Sequence, residues 1–377
     1  MRILILFNKY TYRGGEDTYV KNLISLLRKR GHSVKLFTRD SRDIKNVVDS
    51  LHAGIGLFWN QNTNTELTQA IQAFKPDIAH FHNIYPLISP TAYLVCKKNN
   101  VPIVQSIHNY KFMCPKNSLF RNGSICELCV GRMISWPSIF YGCYHDSRLS
   151  SLVYSCAFFF HKYIGTFRHI NHYIFPTEFT RRYYVKNIAF VQPGQSSVLP
   201  SPILLPTIHK SDDKTGPYLF VGRLSEEKGI GGLVSLFRTN GKSLTVVGNG
   251  PLRNRLANPP FSNIRFIPHS SSTRIKTLMK SARAIIVPSL WYEVLPLVVL
   301  EAMALGKTIF LSGNKNLLSI QSRGNVIYFK PGDFNDLQEK IDSYERLSQS
   351  PKLSNMPEIY SSHYHYRKLK ELYEKIA

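Results

Sequence analysis

Acidic residues are scarce in this chain: 24 Asp and Glu stand against 48 Lys and Arg in 377 residues, a formal charge of +24. Such a balance favours anionic partners: nucleic acid, a phosphorylated substrate or an anionic membrane face. The excess is larger in residues 1–200 than in residues 201–377. Patterns of known nucleic-acid-binding modules are missing, however, and the basic residues are scattered, Arg28-Lys29-Arg30 being the tightest run. Long apolar runs are missing too. None approaches the ~18 to 20 residues of a membrane-spanning helix, and Ile3–Phe7 meets Asn8-Lys9 too soon to serve as a secretion signal. These absences predict a cytoplasmic protein without nucleic acid as its partner. With only six cysteines and a reducing compartment, stable disulfides are not expected. The G-x-G-x-x-G dinucleotide fingerprint is also absent, since only the pair Gly14-Gly15 follows the first strand-like run.

What is present is a repeated α/β pattern at a length that suits two domains, each with its own core. Arg2–Phe7 reads as a buried parallel strand, Val20, Leu23, Ile24 and Leu27 follow at helical spacing, and His32–Phe37 reads as a second strand. Asp77–Phe81, Pro102–Ile107 and His172–Pro176 continue the series, and Thr177 is placed to cap a helix. Gln192–Gly216, rich in Pro, Ser and Gly, is read as a link. Strands are then predicted at Tyr218–Val221, Leu244–Val247, Ile264–Ile267, Ala284–Val287, Thr308–Leu311 and Val326–Phe329, separated by helical patterns.

Chemistry concentrates in residues 288–306, PSLWYEVLPLVVLEAMALG. A strand ends at Pro288-Ser289, and Pro296 stands where a helix opens. Glu293 lies in the loop and Glu301 about one turn into the helix, while the amides near Leu297 and Val298 favour a phosphate. Carboxylates beside an anion site suit a nucleotide-sugar, whose phosphates take the amides and whose hydroxyls donate to the acids. Two solvated acids on a helix are the plain alternative. Earlier in the same half, Gly222-Arg223-Leu224 with Lys228-Gly229 forms a loop at a strand end, where Arg223 and Lys228 can clamp a diphosphate. Taken alone, that loop reads as a solvated basic turn; set beside Glu293 and Glu301, it reads as the clamp. Gly248-Asn249-Gly250-Pro251-Leu252 makes a further glycine-bounded turn.

Taken together, E-x7-E with its flanking P-S and E-A-M-A-x-G, G-R-L-x-x-x-K-G and G-x-G-P-L resemble retaining glycosyltransferases of the GT-B fold, specifically the group 1 (family 4) class. The resemblance covers nearly the whole chain. It implies two Rossmann-like domains facing across a cleft, with a C-terminal helix crossing back to the first; Leu369, Leu372, Tyr373 and Ile376 supply its apolar stripe. The expected division is an acceptor domain over residues 1–195, a nucleotide-sugar domain over 196–355 and the returning helix over 356–377. It further implies that Arg223 and Lys228 bind the donor diphosphate, that Glu301 holds the ribose, and that Glu293 holds the transferred sugar. Gly222, Gly248, Gly250, Leu297 and Val298 would lie along the nucleotide, and Gly14 and Gly15 near its phosphates. His108, in Ile107-His108-Asn109-Tyr110, matches a family histidine that faces the donor sugar. His82, ending the strand before it, is read as a structural hydrogen-bonder. The implied reaction moves a sugar to a saccharide hydroxyl with retained configuration, without a metal cofactor for catalysis. Ser201, Pro268 and the short segment from Ser312 to Asn325 depart from the family pattern. A nucleotide-sugar epimerase of the same fold and a non-enzymatic nucleotide- or nucleic-acid-binding module remain as alternatives.

Residues 110–147 break the α/β pattern. Cys114, Cys126, Cys129 and Cys143 fall here, and thiolates in C-x2-C with two outliers suit a tetrahedral structural zinc. Scattered buried thiols and an iron–sulfur cluster are the competing readings. A subset of the group 1 family carries a similar C-P-x5-R-x-G-x2-C-x2-C insertion. The stretch Ser150–Phe167 is strongly apolar with a basic edge and reads as core helix, or alternatively as a lipid-docking surface. With the positive charge, it points to a lipid-linked saccharide acceptor in cell-surface polysaccharide (lipopolysaccharide or capsule) synthesis, and to peripheral attachment at the inner membrane face.

Overall fold

The computed structural model describes residues 1–11, 14–203, 215–318, 320, 326–346 and 357–377. The chain forms two units: residues 1–119, 126–201 and 362–377, and residues 120–125 with 202–361.

In the first unit the elements run β1 (Arg2–Lys9), α1 (Gly15–Lys29), β2 (Ser33–Asp40), α2 (Val47–Phe58), α3 (Gln61–Phe74), β3 (Ile78–Phe81), α4 (Thr91–Lys98) and β4 (Ile103–Ser106). A short hairpin, β5 (Phe120–Arg121) with β6 (Ser124–Ile125), interrupts them, and α5 (Trp136–Tyr141), α6 (Arg148–Tyr163), β7 (His172–Phe175), α7 (Glu178–Asn187) and β8 (Ser196–Val198) follow. Six strands make one parallel sheet in the order β2-β1-β3-β4-β7-β8. β8 lies inside the stretch read as a link, because Ser197 and Val198 pair with Ile174 and Phe175 despite their Pro- and Ser-rich surroundings. The helices α2 and α3 carry no sequence expectation; Asn46 and Asn60 start them by accepting from the amides of Asp49 and Thr63. Thr177 caps α7 as its sequence predicts, accepting from the Thr180 amide. α6 is core on one face, burying Tyr154, Ala157, Phe158 and His161. The C-terminal helix, Ser362–Ile376, packs on this sheet: Leu369 and Tyr373 are fully buried among Ile5, Leu23 and Val104. The return of the tail to the first domain is therefore realised.

The second unit repeats the plan with β9 (Tyr218–Val221), α8 (Ile230–Asn240), β10 (Leu244–Val247), α9 (Arg253–Ala257), β11 (Ile264–Ile267) and α10 (Ser272–Ser281). β12 (Ala284–Val287), α11 (Leu297–Ala304), β13 (Ile309–Ser312), β14 (Val326–Phe329) and α12 (Phe334–Arg346) complete it. Its parallel sheet has the order β11-β10-β9-β12-β13-β14. Aliphatic strands buried on both faces explain why the sheet is parallel and helix-covered. Two such α/β units are the GT-B class of fold.

Candidate functional site

In an open parallel sheet, ligands gather at the carboxyl ends of strands where the winding reverses. In the second unit that point lies between β9 and β12, and the functional side chains of the sequence fall beside it. The loop after β9 brings Lys228, and the loop after β12 brings Glu293. Their charged ends meet: Lys228 Nζ stands 2.5 Å from Glu293 Oε1, with side chains 23% and 6% exposed. Ser289 Oγ donates to the same oxygen at 2.6 Å. The lysine ammonium also lies over the Trp291 ring, 5.2 Å from its centroid. Asn314, after β13, donates to Ser289 O at 2.6 Å, and Asn316 donates to the Glu293 carbonyl, so the acid-bearing loop is clamped from its neighbour. Sequence reasoning named neither asparagine. Their strand end, Ser312, is the only signal that was available for them.

Close backbone approach explains the glycines of this edge. A Cβ on Gly248, whose φ is +145°, would stand 1.9 Å from the Gly222 carbonyl oxygen, so the turns after β10 and β9 can cross only with glycine there. A Cβ on Gly250 would stand 2.5 Å from the carbonyl oxygen of Leu224, whose amide donates to the Asn249 carbonyl at 3.0 Å. The sequence placed Gly222, Gly248 and Gly250 along a ligand; the structure gives Gly248 and Gly250 a packing duty of their own. Arg223 is exposed on the same loop.

α11 opens after Pro296, as its sequence predicts, and its first internal bond is Val299 N to Pro296 O at 3.0 Å. Helix geometry leaves the Leu297 and Val298 amides without intrahelical acceptors. Glu301 lies one turn along; burial raises its carboxyl above the usual value and Lys276 partly offsets this.

At the corresponding reversal in the first unit, between β1 and β3, the side chains are of another kind. Gly14 caps α1 in extended backbone, with Asp17 accepting from its amide at 3.0 Å, and Gly15 begins the helix. Open space surrounds the Cβ position of Gly14, so packing does not demand glycine there. Glu16, which sequence reasoning passed over, accepts from Tyr10 Oη at 2.9 Å and from the Asn83 amide at 2.8 Å. Burial pushes its carboxyl up to about 7 against those two bonds.

His108 is a hydrogen-bonding partner of His82, Nε2 to Nδ1 at 3.0 Å, with the rings stacked. His82, read from the sequence as a structural hydrogen-bonder, holds His108 through Nδ1 and with it lines the cavity of this unit. Burial drops His108 to about 3, so its imidazole is neutral at physiological pH. Glu16, Asn83, His108, Asn109 and Lys111 line one cavity of this unit. The Lys111 ammonium faces Tyr85, Tyr144 and Tyr154 at 5.8, 4.6 and 4.9 Å, and burial lowers it to about 8.

The zinc expectation is not supported. Cys129 is pushed up to about 12 by burial and by the neighbouring sulfurs of Cys114, Cys143 and Cys126, so the four thiols share one neighbourhood. Yet among the described residues no group of three or more His, Cys, Asp or Glu side chains is placed to hold a metal. The donor set has zinc's chemistry without its geometry. Nor, among the described residues, is any helix long and apolar enough to cross a membrane.

Comparison with known proteins places these features in a family. Residues 13–203 match the family described as Glycosyltransferase Family 4, and residues 205–359 match Glycosyl transferases group 1. An uncharacterised glycosyltransferase of Methanocaldococcus jannaschii is 35% identical over 112 residues, a match that spans 27% of this chain and 28% of that protein. Sucrose-phosphate synthase from Thermosynechococcus elongatus shares the fold with a TM-score of 0.70 at 15% identity, over 100% of this chain and 98% of its own. Anabaena HepE, solved in complex with UDP-glucose, aligns with a TM-score of 0.64 at 14% identity over the full length of both chains. UDP-GlcNAc 2-epimerase from Methanocaldococcus jannaschii aligns with a TM-score of 0.54 at 11% identity, over 98% of this chain and 100% of that one.

Proposed function

We propose, the chain being a member of glycosyltransferase family 4, that it transfers a sugar from a nucleotide-diphospho-sugar to a saccharide hydroxyl with the anomeric configuration retained. The observation that carries this reading is the Lys228–Glu293 ion pair bridging the loops after β9 and β12 at the sheet's reversal point. A pyrophosphate arriving there finds a lysine, the exposed Arg223 and the amides of Leu297 and Val298 to neutralise it. Among the described residues both hydrogen bonds to the Glu293 carboxylate use Oε1, and Oε2 is the oxygen offered to a sugar hydroxyl. Glu301 takes the ribose hydroxyls, Gly222, Gly248 and Gly250 border the nucleotide, and Gly14 and Gly15 lie near its phosphates. His108, held neutral, donates or accepts a hydrogen bond to the transferred sugar without adding charge.

The bond from the anomeric carbon to the diphosphate oxygen breaks, a bond to the acceptor hydroxyl oxygen forms on the same face, and the hydroxyl proton passes to the departing diphosphate. Charge developing on the leaving group is met by Arg223, Lys228 and the α11 amides, of which Lys228 is held in place by Glu293. Catalysis requires no metal in this scheme. The acceptor is read as a lipid-linked saccharide of cell-surface polysaccharide synthesis, presented at the inner face of the membrane to a chain carrying +24.

The test is incubation with a panel of UDP-, GDP- and ADP-sugars. Nucleoside diphosphate release with an α- or β-linked product of unchanged configuration supports the reading. The likeness to an epimerase structure makes a second result informative: an isomerised sugar without net transfer assigns the epimerase activity instead. Binding without either product leaves a nucleotide-binding module.

A further inference from the structure

We infer that the outer faces of α2, α5 and α6 form a surface of the first unit that inserts into an anionic lipid bilayer. This deepens the reading of a membrane-presented acceptor and rests on it for its purpose, though binding is measurable without any reaction.

The observation is an inverted helix. In α2, Ala53, Gly56 and Leu57 face inward, as a core stripe should. The opposite, solvent-facing stripe is also apolar: Val47, Leu51, Ile55 and Trp59 recur at four-residue spacing and are 84%, 63%, 59% and 52% exposed, with Val48 beside them. The helix's one acid, Asp49, is turned back to accept from the Lys45 and Asn46 amides. A soluble helix has no reason to spend its water-facing side on aliphatic residues, and exposed apolar faces of this kind mark interaction sites.

The stripe is not isolated. α6 packs against both α2 and α5, and the Cβ position of Gly54 lies 3.3 Å from Val153 Cγ1. On its open side α6 shows Leu149, Leu152 and Tyr163, and α5 shows Trp136 and Phe140. Thus the helix read from sequence as core or lipid-docking buries one face and leaves the other apolar and exposed. Basic groups interleave with the rings: Arg132 lies over Trp136 at 5.3 Å, Arg148 over Phe140 at 5.8 Å, and Lys162 Nζ donates to the Arg132 carbonyl at 2.8 Å. The nearby acids in sequence are Glu127, which accepts from Tyr183, and Asp146.

Aliphatic residues to enter the acyl boundary, Trp and Tyr to sit among headgroups, and Arg and Lys to meet lipid phosphates are the chemistry of an interfacial surface. Charge decides among occupants. A second copy would bring the same +24 and the same basic rim, and the two would repel; an anionic bilayer complements both.

The experiment uses the full chain, with vesicles of phosphatidylcholine alone or with phosphatidylglycerol, read by flotation and by tryptophan emission. Trp59 and Trp136 lie in the patch, while Trp291 sits beside Lys228 and gives a constant background. Expected are at least tenfold tighter binding to the anionic vesicles and a blue shift of emission. Leu51→Gln with Ile55→Gln should lower that binding at least tenfold and abolish the shift, with circular dichroism and nucleotide release from a soluble donor unchanged. Equal binding to neutral vesicles, or undiminished binding by the double variant, overturns the proposal. So does a dimer in sedimentation velocity that the double variant dissolves while wild-type protein ignores vesicles, which assigns the face to a second copy. Anionic-vesicle binding lost with the double variant, in a protein that turns over no nucleotide-sugar, sustains the surface and removes the transferase reading alone.

Discussion

Each unit winds outward from its first strand and reverses beside it, at β1 and β3 in one and at β9 and β12 in the other, yet the two stock that point with different chemistry. At the edge of the second unit sits a full ion pair, Lys228 with Glu293, beside an exposed arginine and open helix amides. The first unit sets out hydrogen-bonding groups with little fixed charge: His82 and His108 bonded to each other, His80 bonded to Ser106 and Tyr373, a Glu16 whose carboxyl is raised to about 7 and a Lys111 whose ammonium is lowered to about 8. Topology supplies the location, and side chains decide whether the location handles charge or hydroxyls. A diphosphate needs fixed positive charge, which survives burial only when paired. A sugar or an acceptor hydroxyl needs hydrogen-bonding groups that do not drag in counter-charge.

The contrast is broken most severely at the ion pair. Glu293→Gln should cut sugar transfer by about a hundredfold or more, the scale of losing one preorganised polar group at the reacting centre; an unchanged kcat in steady-state assay removes Glu293 from the site. Lys228→Met should weaken donor binding at least tenfold by calorimetry. It should also destabilise the fold by about 1–3 kcal/mol, because the carboxylate of Glu293 stays buried without its partner.

Next in size is the backbone crossing. Gly248→Ala places a methyl group where the Gly222 carbonyl stands and should cost about 2–4 kcal/mol, read as a fall in Tm of the second unit. Glu301→Gln should weaken donor affinity about tenfold while leaving that melting transition in place.

Acid sharpens the comparison further. Burial, with their neighbours, holds His80 and His108 near 3 and His365 near 4. These groups take up protons in the unfolded chain below about 6.5 but not in the folded one. Stability of the first unit should therefore fall as pH drops from about 6.5 towards 4, by on the order of 1 kcal/mol per pH unit for each of the three histidines. The second unit lacks a buried histidine among its described residues and should resist. Hydrogen exchange at pH 5 distinguishes the two.

The smallest effect runs the other way. With its carboxyl raised from 4.5 to about 7, Glu16 binds a proton longer in the folded state, so it subtracts stability as pH rises through that window. Glu16→Gln should recover about 1 kcal/mol at pH 8 and nothing at pH 4, by denaturant melts.

How legible this was depended on whether an element announces itself locally. Five of the six second-unit strands coincide with their predicted residues, because each is a short aliphatic run between turn residues. β8 was hidden, since Ser196–Val198 is a strand only by pairing with β7. Arg223, Lys228, Glu293 and Glu301 stand in contiguous motifs and could be named; the structure joins Lys228 to Glu293. Glu16, Asn314 and Asn316 act through residues 67, 25 and 23 positions away, and no local pattern carries such a partnership. The cysteine spacing was legible and misleading: it fixed composition without fixing the placement of sulfurs.

Tyr373 donates or accepts at His80 Nδ1 over 2.5 Å, deep in the amino-terminal sheet. A ribosome must therefore pass residue 373 before that sheet acquires this covering helix, while the strands of the second sheet, Tyr218 to Phe329, are all made earlier. The half made first is completed last. Proteolysis near Ser361 would strip that helix from the older half and spare the younger.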